Sequence, residues 1–413
     1  MNAAQNFKTK TFAALSVRNF RFYVFGQLVS VSGTWMQSVA QGWLILQISG
    51  SSVDLGVAVA LQYVPMLLAG SYGGVIADRH DKRYILYGTQ GGAGLLALAL
   101  GVMVTTHHVS IGAVYVLAAL LGVVNLFDVP ARQAFVQQMV GRDLIANAVS
   151  LNSVLMNAGR LIGPGIATAF IAAFGTAVCF YANAVSYVAV LVALSLMRSH
   201  EFLPMKTVTR EKGQLRLGIA YVRANPELRR AVLAVAAVGT FAFNFTVTLP
   251  LLAHDTFHQR TAVDYGLMMG AMGLGAIIGG LAIAYRSRPT HGLLAFLALG
   301  FGASLTLVAL MPSAHLAEIL MIPTGAFSVA FVSTANATLQ LNSTSAMRGR
   351  VMSLYGIAFF GTTPIGAPLI GVIIKMSDPR TGLLVGSVLT LAVGAWLAGT
   401  YPRTPARALE PAL

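Results

Sequence analysis

Gly74-Val75-Ile76-Ala77-Asp78-Arg79-His80-Asp81-Lys82-Arg83 is a short charged interruption between two long apolar stretches, at roughly 54 to 77 and 84 to 106. Each stretch supplies the roughly 20 apolar residues that a helix needs to cross a hydrocarbon core about 30 Å thick. The same alternation runs outward in both directions. Apolar runs lie at roughly 20 to 46, 110 to 131, 148 to 173 and 177 to 197, and again at roughly 231 to 253, 265 to 285, 292 to 311, 316 to 340, 350 to 375 and 381 to 400. Twelve runs joined by short polar segments predict an all-α membrane protein with twelve transmembrane helices.

Composition supports this reading. The 413 residues are 56% hydrophobic and 10% charged, against about 25% charged in an average soluble domain. The net charge of +14 raises the question of nucleic acid, and the placement of the bases answers it. Arg160 falls inside a span, and Arg260, Lys375 and Arg380 fall in one alternate set of loops. All the other Lys and Arg residues fall in the opposite set and the two tails. That asymmetry is the positive-inside pattern, so both termini are expected in the cytoplasm of a bacterial cell, with a multi-pass chain in its inner (plasma) membrane and no nucleic-acid partner. Met1 to Arg18 is polar and basic and leads into a long run without a small-residue cleavage site, which predicts a retained N-terminus. Cys179 is the single cysteine, so neither a disulfide nor a cysteine metal site forms within one chain. No Walker loop, nucleophile elbow or dinucleotide fingerprint is present, which argues against ATP-driven pumping, enzyme chemistry and a bound cofactor.

Arg198 to Arg230 is the one long polar stretch, rich in bases. It divides the chain into a six-span half at 1–197, a basic cytoplasmic linker at 198–230 and a second six-span half at 231–413. Leu215, Leu217, Ile219 and Val222 beside Arg216 and Arg223 suit a short helix lying on an anionic inner leaflet. Paired features point to duplication. Asp54-Leu55-Gly56 opens the second span and Asp264-Tyr265-Gly266 the eighth. Ser150-Leu151 and Ile162-Gly163 have counterparts in Ser353-Leu354 and Ile365-Gly366.

The loop from Gly74 to Arg83 resembles the signature loop of the major facilitator superfamily, with Asp81 where that family usually has Gly. The resemblance implies two pseudo-symmetric six-helix bundles. It also implies a latch in the outward-facing state, made by Gly74, Asp78, Arg79, Lys82 and Arg83 with an acid on the fourth span, here Asp128. Asn157-Ala158-Gly159-Arg160-Leu161-Ile162-Gly163-Pro164-Gly165 resembles the Gly-Pro motif of antiporters and exporters in the superfamily, in which Gly159, Gly163 and Pro164 serve helix packing. Asn125 to Phe135, Arg348 to Tyr355 and the run from Phe20 onward are most similar to the branch that contains the enterobactin exporter.

Ionisable groups in the spans are the first candidates for chemistry, because a charge at the bilayer centre costs roughly 2.5 to 3.5 kcal/mol even on insertion scales. Arg160 sits halfway along the fifth span, with Asp128 as its expected partner. A structural ion pair, an anion-binding role and a part in proton coupling all stay open for it. For proton coupling, Asp128 comes first, Asp54 second and Glu318 third; Asp54, Asp264 and Glu318 also read as acids at helix ends. Gln27, Ser30, Gly33, Thr34, Gln37 and Gln41 form one stripe on the first span. Gln37 and Gln41 from that stripe join Asn125, Phe127, Arg160, Phe241, Asn244 and Asn336 as the expected substrate-binding set. His254, Asp255 and His258 have metal spacing, but a short loop is a poor setting, and no metal site is expected. The sequence therefore predicts a proton-coupled exporter of small amphipathic molecules, drug-like or siderophore-like, with lipid around it and a monomer sufficing. Uptake by symport and a lipid flippase or scramblase stay open beside it.

Overall fold

The computed structural model describes residues 12–203, 214–259, 261–286, 290–344 and 347–400. The side chains of Ser71, Asp78, Arg142, Ala146, Gln214, Leu215 and His291 lie outside the described residues, as do both chain ends and Lys206, Arg210 and Lys212 of the linker. Helices fill nearly all of the rest: α1 (Arg18–Ser49), α2 (Ser52–Arg79), α3 (Lys82–Thr105), α4 (Ile111–Gly141), α5 (Asp143–Phe174), α6 (Thr176–Leu196), α7 (Gln214–Ala224), α8 (Pro226–Thr256), α9 (Val263–Arg286), α10 (His291–Leu310), α11 (Ala314–Leu341), α12 (Arg348–Met376) and α13 (Pro379–Gly399). Eleven are long and apolar enough to cross a membrane. The remaining spanning helix, α1, has 32 residues, and its glutamines and serines lower its hydropathy. With α7 outside the membrane, the chain has twelve spans.

Helix starts follow from the local sequence. Ser51, Ser110 and Thr290 each accept a hydrogen bond from the backbone N–H three residues on, and Asn225 and Asp378 do the same before Pro226 and Pro379. Such caps satisfy donors that the helix leaves open. The bends also have causes. The segment after Ala131, expected as a loop, is helical on both sides of Gly141, whose φ of 73° marks a left-handed turn that glycine tolerates best. The seventh and eleventh spans, expected as continuous, are each broken. α8 is interrupted after Phe241 and resumes at Phe245, and Asn244 Nδ2 donates to the Thr240 carbonyl at 2.7 Å, replacing a lost backbone bond. α12 breaks at Gly361 and Thr362, where Pro364 has no N–H to give the preceding turn.

Two faces can be told apart. Arg18, Arg79, Arg83, Arg198, Arg229, Arg286 and Arg350 lie on the basic face, and the turns at Gly50, Thr106, Gly175, Phe257, Pro312 and Ser377 lie on the far face. The linker helix α7 forms as expected, but it docks on the protein. Gly218 lies against Arg350, Val222 is buried, and the Thr344 N–H donates to the Tyr221 hydroxyl at 3.3 Å. Only part of its apolar face, such as exposed Leu217, is left for lipid.

Candidate functional site

The first and second halves of the chain meet along α2 with α12 and along α5 with α9. Their closest approaches lie in the far half and at mid-depth. Ser52 Oγ donates to the Gly371 carbonyl at 2.8 Å. A Cβ on Gly56 would sit 2.5 Å from the Ala367 carbonyl oxygen, and one on Gly273 would sit 2.8 Å from the Arg160 carbonyl oxygen. Glycine at these points is what lets the helices touch. Toward the basic face the same helices carry exposed Leu68, Tyr72, Val154, Leu281 and Tyr285, the last 93% exposed. The far side is closed at this depth, beneath a rim pocket of about 690 Å³ that Ser52, Asp255, Lys375 and Arg380 line from both halves, and the halves part toward the basic face.

Within the first half, a cavity of about 180 Å³ is lined by Thr34, Trp35, Gln41, Gln62, Tyr63, Leu121 and Tyr187, among others, and Thr246 is its one lining residue from the second half. The Arg160 guanidinium lies 4.9 Å from the centre of the Trp35 ring and interacts electrostatically with Tyr63. Its Nε is buried without a hydrogen-bond partner, and no carboxylate pairs with it among the described residues. The expected Arg160–Asp128 pair does not form.

Asp128, 1% exposed, is instead held by Arg132 one turn along α4. Thr89 Oγ1 and Gln90 Nε2 of α3 donate to its other oxygen at 2.9 and 2.7 Å, and Arg132 also donates to Gln27 Oε1 at 3.1 Å. The i, i+4 spacing brings the pair together without help from a loop. Arg83 of the signature loop is engaged elsewhere. Arg83 donates to the Leu194 carbonyl at 2.6 Å, to the Met197 carbonyl at 3.2 Å and to Ser199 Oγ at 2.6 Å, closing the C-terminus of α6, where a cation is favoured. Gly74 is buried, Arg79 is exposed and Lys82 is half-buried; the Asp78 side chain, the expected anchor of the latch, lies outside the described residues.

The stripe on α1 splits. Gln27, Ser30 and Gly33 are buried, while Thr34, Gln37 and Gln41 line the cavity, with Asn183 Nδ2 donating to the mostly buried Gln37 Oε1 at 2.6 Å. Gly159 and Gly163 of α5 lie against Val31, Ser32 and Trp35 of α1, and Pro164 packs near Gly266. Asn125 and Phe127 are half-buried on α4, which contributes Leu121 to the cavity wall. Phe241 is half-buried at the break in α8, and Asn244, 3% exposed, turns back onto its own helix. Asn336 Oδ1 accepts from Gln340 at 2.5 Å and contacts Tyr355. Asp54 accepts from the Tyr115 hydroxyl at 2.7 Å on the far face.

Sequence reasoning passed over Trp35 and Tyr63, because a lone aromatic in an apolar span gives no signal of its own. It also missed an aromatic cluster in which Phe243 packs edge-on against Phe359 at 5.1 Å and lies 5.4 Å from Phe301, at the level of both helix breaks.

The family described as transmembrane secretion effector matches residues 9–411. The enterobactin exporter EntS of Shigella boydii is 28% identical over 91% of each chain, and the multidrug efflux pump Tap of Mycolicibacterium fortuitum is 25% identical over 90% of this chain and 93% of its own. The staphyloferrin A transporter of Staphylococcus aureus is 26% identical over 61% of this chain, a match spanning 63% of that protein. Among solved structures, the nucleoside transporter NupG aligns over 94% of this chain and all of its own with a TM-score of 0.72 at 12% identity. An inward-facing bacterial homolog of the lysosomal transporter Spinster aligns over 92% and 95% with a TM-score of 0.70, also at 12% identity. Twelve spans in this arrangement and a family match over nearly the whole sequence make the chain a major facilitator superfamily transporter, a member of the transmembrane secretion effector family.

Proposed function

We propose that the chain is a secondary active exporter of small amphipathic organic molecules carrying negative charge, working by proton antiport and alternating access. The observation that carries the cargo class is Arg160. An arginine at mid-depth with no carboxylate partner among the described residues is costly to hold there, and it lies over an aromatic ring at the edge of a cavity with amide and phenol groups. A cargo with an aromatic body and an acidic group offers both the charge and the stacking surface that this corner lacks. The named efflux and siderophore transporters among the relatives support outward movement, and the bias of Lys and Arg toward the basic face supports placing that face in the cytoplasm. The halves at 1–197 and 231–413 then rock about the cavity with 198–230 as their tether, and the conformation described is the one that loads cargo from inside.

Proteoliposomes of purified protein test this directly. Aromatic carboxylate dyes and catecholate siderophores should move out of the side equivalent to the cytoplasm, faster when a pH gradient is imposed. Movement of neutral or cationic amphipaths only would overturn the cargo class, and movement insensitive to the gradient would overturn antiport.

A further inference from the structure

Asp264 lies in the first turn of α9 and Glu318 opens the second turn of α11, and each alone reads as an acid near a helix start. The fold brings the two carboxyls to within 4.8 Å of each other. His315, one turn before Glu318, places Nδ1 3.4 Å from Glu318 Oε2, and polar atoms of all three side chains lie within 4.8 Å of one another. Asp264 is only 7% exposed, and among the described residues no donor reaches its carboxyl and no lysine or arginine pairs with either acid. Glu318 Oε1 is buried without a partner. Other charged groups on this face are occupied or distant in the chain: His254 is bonded to Asp255 at 2.6 Å, and Arg380 donates to the Met311 carbonyl and lies over Phe257. Asp54 with Tyr115, His107, His108, His258, Lys375, Asp378 and the adjacent Tyr265 also lie on this face; among the described residues α1, α5 and α10 bring no titratable side chain to it.

Two carboxyl groups this close disfavour ionisation of both, and His315 is the one cationic side chain that reaches them among the described residues. Each carboxylate is only an acceptor, so a bond between them contains one proton. The position of the pair gives that proton a consequence. Tyr265 and Gly266, the next two residues of α9, touch the other half of the molecule: the Tyr265 hydroxyl lies 3.3 Å from where a Cβ on Gly42 would be, and Gly266 packs against Thr168 and the Pro164 carbonyl.

We infer that Asp264 and Glu318 form a proton-binding site that sets the far-side seal, with His315, whose side chain is 84% exposed, passing the proton to and from far-face water. With the proton bound, α9 and α11 close on each other and the first turn of α9 holds the seal. When the proton leaves, two like charges push the turn off its seat and the far side opens. The inference rests on the alternating-access reading and deepens it by naming where a proton from the far face is taken up.

The test uses full-length protein in liposomes with a cysteine at the sealed position Ala367, in a Cys179→Ser background. Labelling by a far-face maleimide should rise at least several-fold as external pH is raised. In Glu318→Gln and in Asp264→Asn, both isosteric, it should stay low at every pH. Infrared titration of the same preparations should show a protonated-carboxyl band that fades at high pH in the wild-type pair and is missing in Glu318→Gln. Variants that track the parent in labelling, or a parent without that band, overturn the site. A band that emerges only after chelator treatment also overturns it, because a bound metal cation would then be what joins the acids. Should Ala367→Cys stay unlabelled at every pH with and without cargo, alternating access itself falls; labelling that responds to cargo but not to pH removes only this inference.

Discussion

Arg160 and Arg132 are both arginines on neighbouring helices, and replacing each by methionine should have opposite consequences. Arg132 neutralises Asp128, whose side chain is 2% exposed. Its removal leaves a buried carboxylate with only Thr89 and Gln90 as partners, a loss of about 3 to 5 kcal/mol when one member of a buried pair is taken away. Arg160 has no acid to orphan. Arg160→Met removes a charge that costs roughly 2.5 to 3.5 kcal/mol at the bilayer centre and keeps the length to cover Trp35, so the thermal midpoint should hold or rise. Binding should show the reverse order. A charge-assisted hydrogen bond to cargo is worth about 1.5 to 3 kcal/mol, and about 1.4 kcal/mol is a tenfold change in affinity. Arg160→Met should therefore weaken an aromatic carboxylate roughly 10- to 100-fold and leave its methyl ester nearly unchanged. Thermal unfolding in detergent and calorimetric titration with acid and ester give all the numbers. An Arg160→Met protein that unfolds as early as Arg132→Met, yet binds the acid normally, would refute the reasoning, since Arg160 would then be a structural charge.

A double-mutant cycle of Asp128→Asn with Arg132→Gln should show a stability coupling of about 1 kcal/mol or more, and the cycle of Asp128→Asn with Arg160→Gln should be additive within about 0.5 kcal/mol; the opposite result would restore the pair expected from sequence. Gly56→Val pushes a side chain onto the Ala367 carbonyl, 2.5 Å from its Cβ, so Ala367→Cys should label quickly from the far face at all pH values and transport should fall; unchanged labelling would mean that the α2–α12 contact is not the seal. Asp54→Asn exchanges an acceptor already satisfied by Tyr115, and cargo efflux should keep its response to a pH gradient; loss of that response would return coupling to Asp54.

What the sequence made legible was whatever one helix carries by itself. Span count, the charge difference between faces, and the small residues of α5 that seat Val31 and Trp35 follow from composition and spacing. The salt bridge at Asp128 was also within reach, since Arg132 is one turn away, but placing a loop after Ala131 hid it; helical geometry continues to Gly141. The joining of Asp264 to Glu318 was not legible. They belong to different helices, each has a sufficient local explanation as an acid at a helix start, and only the packing of α9 against α11 brings them together, burying Asp264 and half-burying Glu318.

α9 connects the acid pair at Asp264 with the neighbourhood of Arg160. Near its start, Asp264 is buried against another acid. Two turns along, Gly273 rests on the backbone of Arg160 and Leu161, beneath the guanidinium proposed to meet cargo. At about 1.5 Å per residue the two points are on the order of 14 Å apart on one straight helix, with Gly266 seated on α5 between them. A helix is stiff over that length, so a shift of α5 when Arg160 gains a counter-charge moves the contact at Gly273, and the first turn of α9 must follow or break its seat against Thr168. On these proposals, proton at one end and cargo at the other act on the same contact between α5 and α9, whose close fit the glycines at 266 and 273 make possible; net antiport requires in addition that the proton taken up from the far face leave toward the basic face.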